Sequence, residues 1–524
     1  MGIQAQAESL GKPFDAARES FEELLSELSC EATLSLTHSA VETLIAERGR
    51  EVMRRAFQGH LDMRGPGRAL GVVETAEGVP LAYERRCGRD LETQFGRVRV
   101  DRFGYYSHDE SVAFPLDGDL NLPRDLYSLG VRKRVAKEVI RGSYDEAVSA
   151  VGETTGARVP KRQAEQLAER AAADFDAFYD QRGADRDNPF PEPVLVVTVD
   201  GKGVPMRREY LRDETRKVAD ERQHKLSSKL SKGEKKGSKR MSTVAVVYTV
   251  ETYERTAEQF VAELRGTLRE APPKRPRPTK KRAWACIEKS PDEVIADVLA
   301  EALKRDPGKK KAWVGLVDGN ETQIACLKRR AKALGIKLTL VLDVMHVLTY
   351  LWSASHVFNS EGSAESEDWV YERLLEILKG RAGYVAGGIR RSATKRGLDK
   401  EARAAADTCS DYLLKYSAYM RYDEALAQGW PVCTGAVEGA CRHIVQDRLG
   451  KTGARWSLAG AEAVLRLRSL HASNDLDAYW AFHEQQEALR NHVSRYANGI
   501  PRIVRGVSTA QAGRNLRIVG DRRR

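Results

Sequence analysis

The sequence predicts an α/β protein, with a mixed β-sheet core, an all-helical insertion within it, and a mainly helical region before it. Three observations carry that prediction. Five strand-like segments occur in order: VLVVTVDGKGV (194–204), STVAVVYTVETYE (242–254), RAWACIEK (282–289), KAWVGLVDG (311–319) and LTLVLDV (338–344). Two helical stretches, PDEVIADVLAEALKR and ETQIACLKRRAKALG, separate the third strand from the fourth and the fourth from the fifth. From about 347 to 430 the apolar spacing is helical and the chain heavily charged, as in WVYERLLEILKGR and KEARAAADTCSDYLLKYSAYM.

Three consecutive strands followed by β-α-β-α alternation make a mixed sheet with helices on its faces. This is the element order of the ribonuclease-H-like fold. The first strand is expected to end on Asp200, with the chain turning through Gly201-Lys202-Gly203. Residues 15–57 carry helical spacing, and TQFGRVRVDRFGYY (93–106) alternates as a strand does. Residues 130–181 are helical again. Ser143 followed by Glu146 is the signature of a capping box opening a helix. A third helix opens on Lys161-Arg162, so that 130–181 suits a helix-turn-helix whose last helix enters a DNA groove, although ordinary three-helix packing fits equally well. The expected organisation is an N-terminal DNA-binding region (1–181), a linker (182–193) and the first part of the core (194–346). The insertion (347–430), a second part of the core (431–470) and C-terminal helices with a basic tail (471–524) follow.

Length and composition narrow the function. A chain of 524 residues with 41% hydrophobic and 31% charged residues is globular, and no apolar run approaches the roughly 20 residues that span a bilayer. The N-terminus lacks the layout of a signal peptide, so the expected location is cytoplasmic, with no membrane partner. The seven cysteines form no C-x-x-C pair, and no zinc site is expected. No phosphate-loop motif occurs, which argues against a nucleotide cofactor. The formal charge of +11 is concentrated in blocks: KLSSKLSKGEKKGSKR (225–240), KRPRPTKKR (274–282) and the closing GDRRR. Such blocks attract polyanions and favour a nucleic-acid partner.

Each acid admits more than one reading. Asp200-Gly is as much a hairpin signal as a site. Asp318 repeats the context before a helix, where the hairpin explanation weakens, and strands one and four lie side by side in this element order. Carboxyl ends of strands line the crevice where ligands sit in α/β sheets. Two carboxylates held close repel unless a divalent cation lies between them, and magnesium takes oxygen ligands. Asp343 ends the fifth strand and competes with Asp318 for the second role, with His346 three residues on. Glu438 lies among Gly435, Ala436, Gly439 and Ala440, small residues expected to let its helix approach the sheet. Helical spacing puts Arg442 at i+4 from Glu438 as a basic neighbour, and Lys451 and Arg455 follow in a stretch suited to phosphates.

Several stretches together resemble the DDE transposases, most closely the ISKra-type insertion-sequence transposases of the Mutator-like superfamily. They are FGRVRVDRFGY, PLDGDLNLPRDLYS, VDGKGV, LVDGNETQ, LDVMHVLTYLW and GAVEGACRHIVQDRLGKTGARWSLAGAEAVLRLRSL, spread over residues 93–470. The resemblance implies a ribonuclease-H-like core with a helical insertion between the second Asp and the Glu. It implies Asp200, Asp318 and Glu438 as catalytic and metal-binding acids, and a Cys- or Asp-x-x-His element matched by Asp343 and His346. The expected cofactor is Mg2+, with Mn2+ able to substitute, as two ions about 3.5–4 Å apart. The expected reaction is cleavage of transposon ends followed by 3′-hydroxyl strand transfer into target DNA. The expected partners are double-stranded DNA, both terminal inverted repeats and target, and further copies of the chain in a homodimer or larger assembly. Lys202, Arg442, Lys451, Arg455, Lys161 and Arg162 are the expected DNA contacts. The rival readings are a nuclease of the same core without strand transfer and a non-catalytic DNA-binding protein.

Overall fold

The computed structural model describes residues 12–107, 112–182, 191–221, 237–268, 274–451, 453–506 and 517–518. It divides into two compact units, Met1–Phe178 with Leu476–Arg524, and Tyr179–Asp475. Among the described residues no helix is long and apolar enough to cross a membrane.

In the first unit the 27-residue helix His38–Arg64 packs against the Asp15–Ser29 helix and against a hairpin. The hairpin joins β1 (Tyr83–Thr93) to β2 (Gly96–Tyr106), and Gly96, at φ +119°, closes the two-residue turn. Alternation along β2 sends Val98 and Val100 into a core with Leu61, Leu91, Leu116 and Leu122. A short strand, β3 (Val112–Ala113), pairs with β2. The expected three-helix segment forms from Leu129–Arg141, Tyr144–Thr154 and Lys161–Ala171, which pack on one another. The Ser143–Glu146 capping box is present in both its hydrogen bonds. The Leu476–Asn491 helix belongs to this unit. Its His483 Nδ1 lies 2.6 Å from Asp174 Oδ2, and its Arg490 binds both Asp174 oxygens at 2.6 and 3.0 Å.

In the second unit five strands form one mixed sheet: β4 (Val194–Pro205), β5 (Lys239–Val250), β6 (Thr279–Cys286), β7 (Ala312–Val317) and β8 (Leu338–Leu342). Their spatial order is β6-β5-β4-β7-β8, antiparallel between β4, β5 and β6 and parallel from β4 to β7 to β8. Both parallel connections run through the expected helices, Pro291–Arg305 and Glu321–Ala333. The central strand is covered on both faces, which is why Val194, Leu195, Val196 and Val197 form an unbroken apolar run with no exposed surface.

The expected turn at residues 201–203 is not there. Strand β4 continues through Asp200-Gly201-Lys202-Gly203 to Pro205, paired with β5 from Val194↔Val250 to Pro205↔Lys239. Only its pairing with β7 stops, after Thr198↔Leu316. The glycines follow an extended course that the antiparallel neighbour supports, so Asp200 sits where β7 departs and not at a strand end.

After β8 the chain is helical, through Val344–Ser355, Ala364–Leu378, Ala382–Lys395, Ala404–Lys415 and Tyr422–Ala427. The chain then returns to the sheet with the Gly435–Ala440 helix and the Leu458–Ala472 helix. The latter closes the outer edge of β6 with its side chains. Backbone N–H groups of Ala283, Ala285 and Ile287 donate to Ser473 just beyond the helix, to Ser469 and to Glu462 at 3.0, 3.2 and 2.8 Å. An open strand edge is a template for unwanted pairing, and these acceptors occupy it.

Candidate active site

Strand register brings the acids to one end of the sheet. Asp200 on β4 and Asp318 after β7 each lie two residues beyond Thr198↔Leu316, the last pair of the β4–β7 register. Carrying the β7–β8 pairing one residue past Val317↔Leu342 sets Asp318 level with Asp343. The helix that bears Glu438 packs against β4 and β5 beside this row. Asp200 and Asp318 are half-buried, Asp343 has no exposed surface, and Glu438 is exposed.

Each acid is held differently. Asp200 Oδ1 accepts the N–H of Gly201, and its Oδ2 accepts the Cys441 thiol at 3.2 Å. Asp318 Oδ1 accepts the N–H of Asn320 at 2.9 Å, forming the turn before the next helix, which Asn320 caps. Asp343 caps the Val344–Ser355 helix and takes four hydrogen bonds. Oδ1 accepts from Met345 N (3.2 Å) and Thr434 N (3.1 Å), while Oδ2 lies 2.7 Å from His346 Nδ1 and 2.8 Å from Thr434 Oγ1. Burial pushes the Asp343 carboxyl up, but the bonds from His346 and Thr434 outweigh it and hold the group below its ordinary range. The Asp343 hydrogen bond raises the His346 pKa, against its burial, and the nearby charges of Asp318 and Glu438 act in the same sense. Glu438 Oε1 is 3.2 Å from Thr434 Oγ1.

Asp343, His346 and Glu438 each present a ligand-type atom within 4.8 Å of the others. Asp200, Asp318 and Glu438 make no such group in this structure. Both oxygens of Asp343 are occupied by donors, and these bonds hold His346 and Thr434 in orientation. Asp318 and Glu438 each keep carboxylate oxygen directed at no donor in the structure's hydrogen bonds, and carboxylate oxygens are ligands of the kind magnesium and manganese take.

Two expectations about the Glu438 segment are corrected. Gly435 and Gly439 have open space where a side chain would stand, and it is Val437, Ala440 and Cys441 that pack inward. The glycines therefore leave the outer face of the helix clear instead of easing its approach to the sheet. Nor does Arg442 pair with Glu438 at α-helical spacing. Residues Cys441–Gln446 form a π-helical turn, and Arg442 reaches Asp447 at 3.8 Å, five residues on. Single π-turns are frequent at functional sites.

Of the expected DNA contacts, Lys202 is half-buried on β4, while Arg442, Lys451 and Arg455 are exposed in the segment after Glu438. Lys161 and Arg162 are exposed in the first unit, with Lys161 bound to Asp145 at 2.6 Å. In the 274–282 block, Arg282 is committed to the interior, bound to Glu301 at 2.6 Å and stacked over Tyr179 and Trp284. Arg275 pairs with Glu263 at 2.7 Å. Most of the 225–240 block and the closing GDRRR lie outside the described residues. A cleft of ≈ 390 Å³ adjoins Glu438, lined also by Phe260, Leu264, Arg275, Met345 and Cys433.

Little in the sequence marks Thr434 or Cys441. The Thr434–Glu438 spacing of four was the one available signal for the first. Nothing local announces the second, whose partner Asp200 is 241 residues away.

No family model matches the chain, and no curated protein does. Among solved structures it is similar to a Drosophila P element transposase strand transfer complex, at 10% identity and a TM-score of 0.22, over 71% of this chain and 81% of that one. So slight an overlap establishes no residue correspondences.

Proposed function

We propose that the protein is a DDE-type DNA transposase, using a ribonuclease-H-like core to cleave transposon ends and join a 3′ hydroxyl to target DNA. The observation that supports this reading is that Asp200 and Asp318 each follow by two residues the last pair of the β4–β7 register, Thr198↔Leu316, with the Glu438 helix packed against β4 and β5. The strand order β6-β5-β4-β7-β8, with β5 reversed against β4, is the ribonuclease-H-like order, and it agrees with the reading.

Asp200, Asp318 and Glu438 would hold magnesium or manganese through carboxylate oxygens. Such an ion, when bound, makes water or a 3′ hydroxyl a better nucleophile and neutralises charge on the reacting phosphate. The chain's own groups set the conditions for that chemistry. The Cys441 thiol, donating to Oδ2, fixes the rotation of the Asp200 carboxylate. Asp343 holds the proton of His346 on Nδ1 and turns the ring toward the acids. Gly435 and Gly439, with no neighbour where a Cβ would lie, leave room for a DNA backbone, and exposed Arg442, Lys451 and Arg455 offer it cations. Phosphate contacts of that kind make binding strongly salt-dependent.

The test is Asp200→Asn, assayed with DNA that flanks the coding region and with either metal. Strand transfer should be abolished while DNA affinity stays near that of the unaltered protein. Full activity in this variant would overturn the assignment.

A further inference from the structure

The insertion reaches back to the sheet through tyrosine hydroxyls. Tyr416 donates to the carbonyl of Gly319 at 2.6 Å, and Tyr412 donates to the carbonyl of Asp318 at 3.3 Å. A third, Tyr422, donates to the carbonyl of Leu342, the residue before Asp343, at 2.9 Å. The first two are anchored by their rings. Tyr412 stacks on Tyr350 with centroids 3.9 Å apart and planes 17° apart, and it packs on Tyr416 at 4.9 Å. Both are buried. Lys415, between them in sequence, forms an ion pair with Glu321 in the first turn of the helix after Asp318.

The backbone they grip has few conformational choices of its own. Gly319 sits at φ +98°, a region that side-chain-bearing residues rarely enter. It lies between the last residue of β7 and the helix, with Asp318 immediately before it. A hydroxyl on each of two successive carbonyls fixes the orientation of both peptide planes, and hence the direction in which the Asp318 side chain leaves the backbone.

We infer that Tyr412 and Tyr416 are positioning residues for Asp318, and that the helical insertion serves the acids by holding the Asp318–Gly319 turn from outside the sheet. This inference rests on the proposed role of Asp318 as a metal-binding acid. Neither tyrosine touches the reacting groups; each acts through a carbonyl of the turn.

The experiment uses the full chain and manganese alone, with binding followed by calorimetry and nicking of supercoiled plasmid followed in parallel. The variants are Tyr412→Phe with Tyr416→Phe, which keep both rings, and Asp318→Asn as reference. Loss of groups that orient a ligand costs about 10–100-fold in metal affinity or activity. The double variant should lose manganese affinity and turnover in that range, with half-saturation by DNA unchanged and turnover recovering at high manganese. A merely structural role would not give that split. If Asp318→Asn weakens manganese binding but the double variant binds and nicks as the unaltered protein does, the inference falls and the proposed function stands. If Asp318→Asn leaves manganese binding and nicking intact, the proposed function falls and takes the inference with it. Should the double variant not fold, Tyr416→Phe alone decides by the same criteria.

Discussion

Replacing Thr434 by valine isolates the group on which the acid cluster turns. The side chain is 2% exposed, and its single hydroxyl proton faces two carboxylates, Asp343 Oδ2 at 2.8 Å and Glu438 Oε1 at 3.2 Å. The nearer and fully buried acid takes it. Valine has nearly the same shape and cannot donate, so the change removes a hydrogen bond to a buried charge without opening a cavity. A hydrogen bond to a charged group contributes about 1.5–3 kcal/mol. For a unit this large, 1 kcal/mol moves the melting temperature by about 2 °C, so Thr434→Val should melt about 3–6 °C lower. Scanning calorimetry measures it, and Thr434→Ser, which keeps the donor, should recover most of the loss. If the valine variant melts with the unaltered protein, or serine behaves as valine does, the hydroxyl is not what holds Asp343.

Three further outcomes are expected. Burial pushes the Asp174 carboxyl up, but His483 and Arg490 pull it down to about 2. With the folded value below the unfolded one, its contribution is present above the unfolded pKa and is lost as pH falls toward the folded value. That contribution is about 2 kcal/mol, so calorimetric stability curves of the unaltered protein and Asp174→Asn should converge between about pH 4 and pH 2. Curves that stay parallel would count against it. Gly319→Ala should cost about 1–2 kcal/mol from backbone conformation alone, with the new methyl 3.3 Å from the Tyr412 hydroxyl. An unchanged melting temperature would show the turn to be unconstrained. In thiol alkylation at neutral pH, Cys30 should react first, because it is exposed and a hydrogen bond with the Thr33 side chain lowers its pKa. Burial holds Cys286 and Cys409 up at about 12, so mass spectrometry should find them unmodified in the folded protein.

What could be read from sequence follows the range of the forces involved. The order of the five core strands and the two crossover helices was legible because apolar runs and helical spacing are local patterns. The Ser143 capping box was legible for the same reason. Strand β1 was not, since YERRCGRDLET is charged along most of its length and owes its place to pairing with β2. The course of β4 beyond Asp200 is not legible locally, because Asp-Gly and Lys-Gly are turn signals and the partner that overrides them, β5, lies some forty residues on. The acids stood out as candidates. Their holders did not, because Cys441, Thr434 and the two tyrosines act over 91 to 241 residues of intervening chain.

The π-helical turn after Glu438 has the effect of a one-residue phase shift. Before it, the helix is rotated so that Glu438 lies one turn on from Thr434, beside Asp343 and His346. After it, the same rod is rotated so that Ile444, Val445 and Leu449 are buried. A uniform α-helix has a single rotation to offer and would have to surrender one alignment to satisfy the other. The wide turn lets the segment serve two clients, with Cys441 at the seam between them. Removing a single residue there would leave composition and apolar content almost untouched, yet it would turn either the acid or the apolar face out of line.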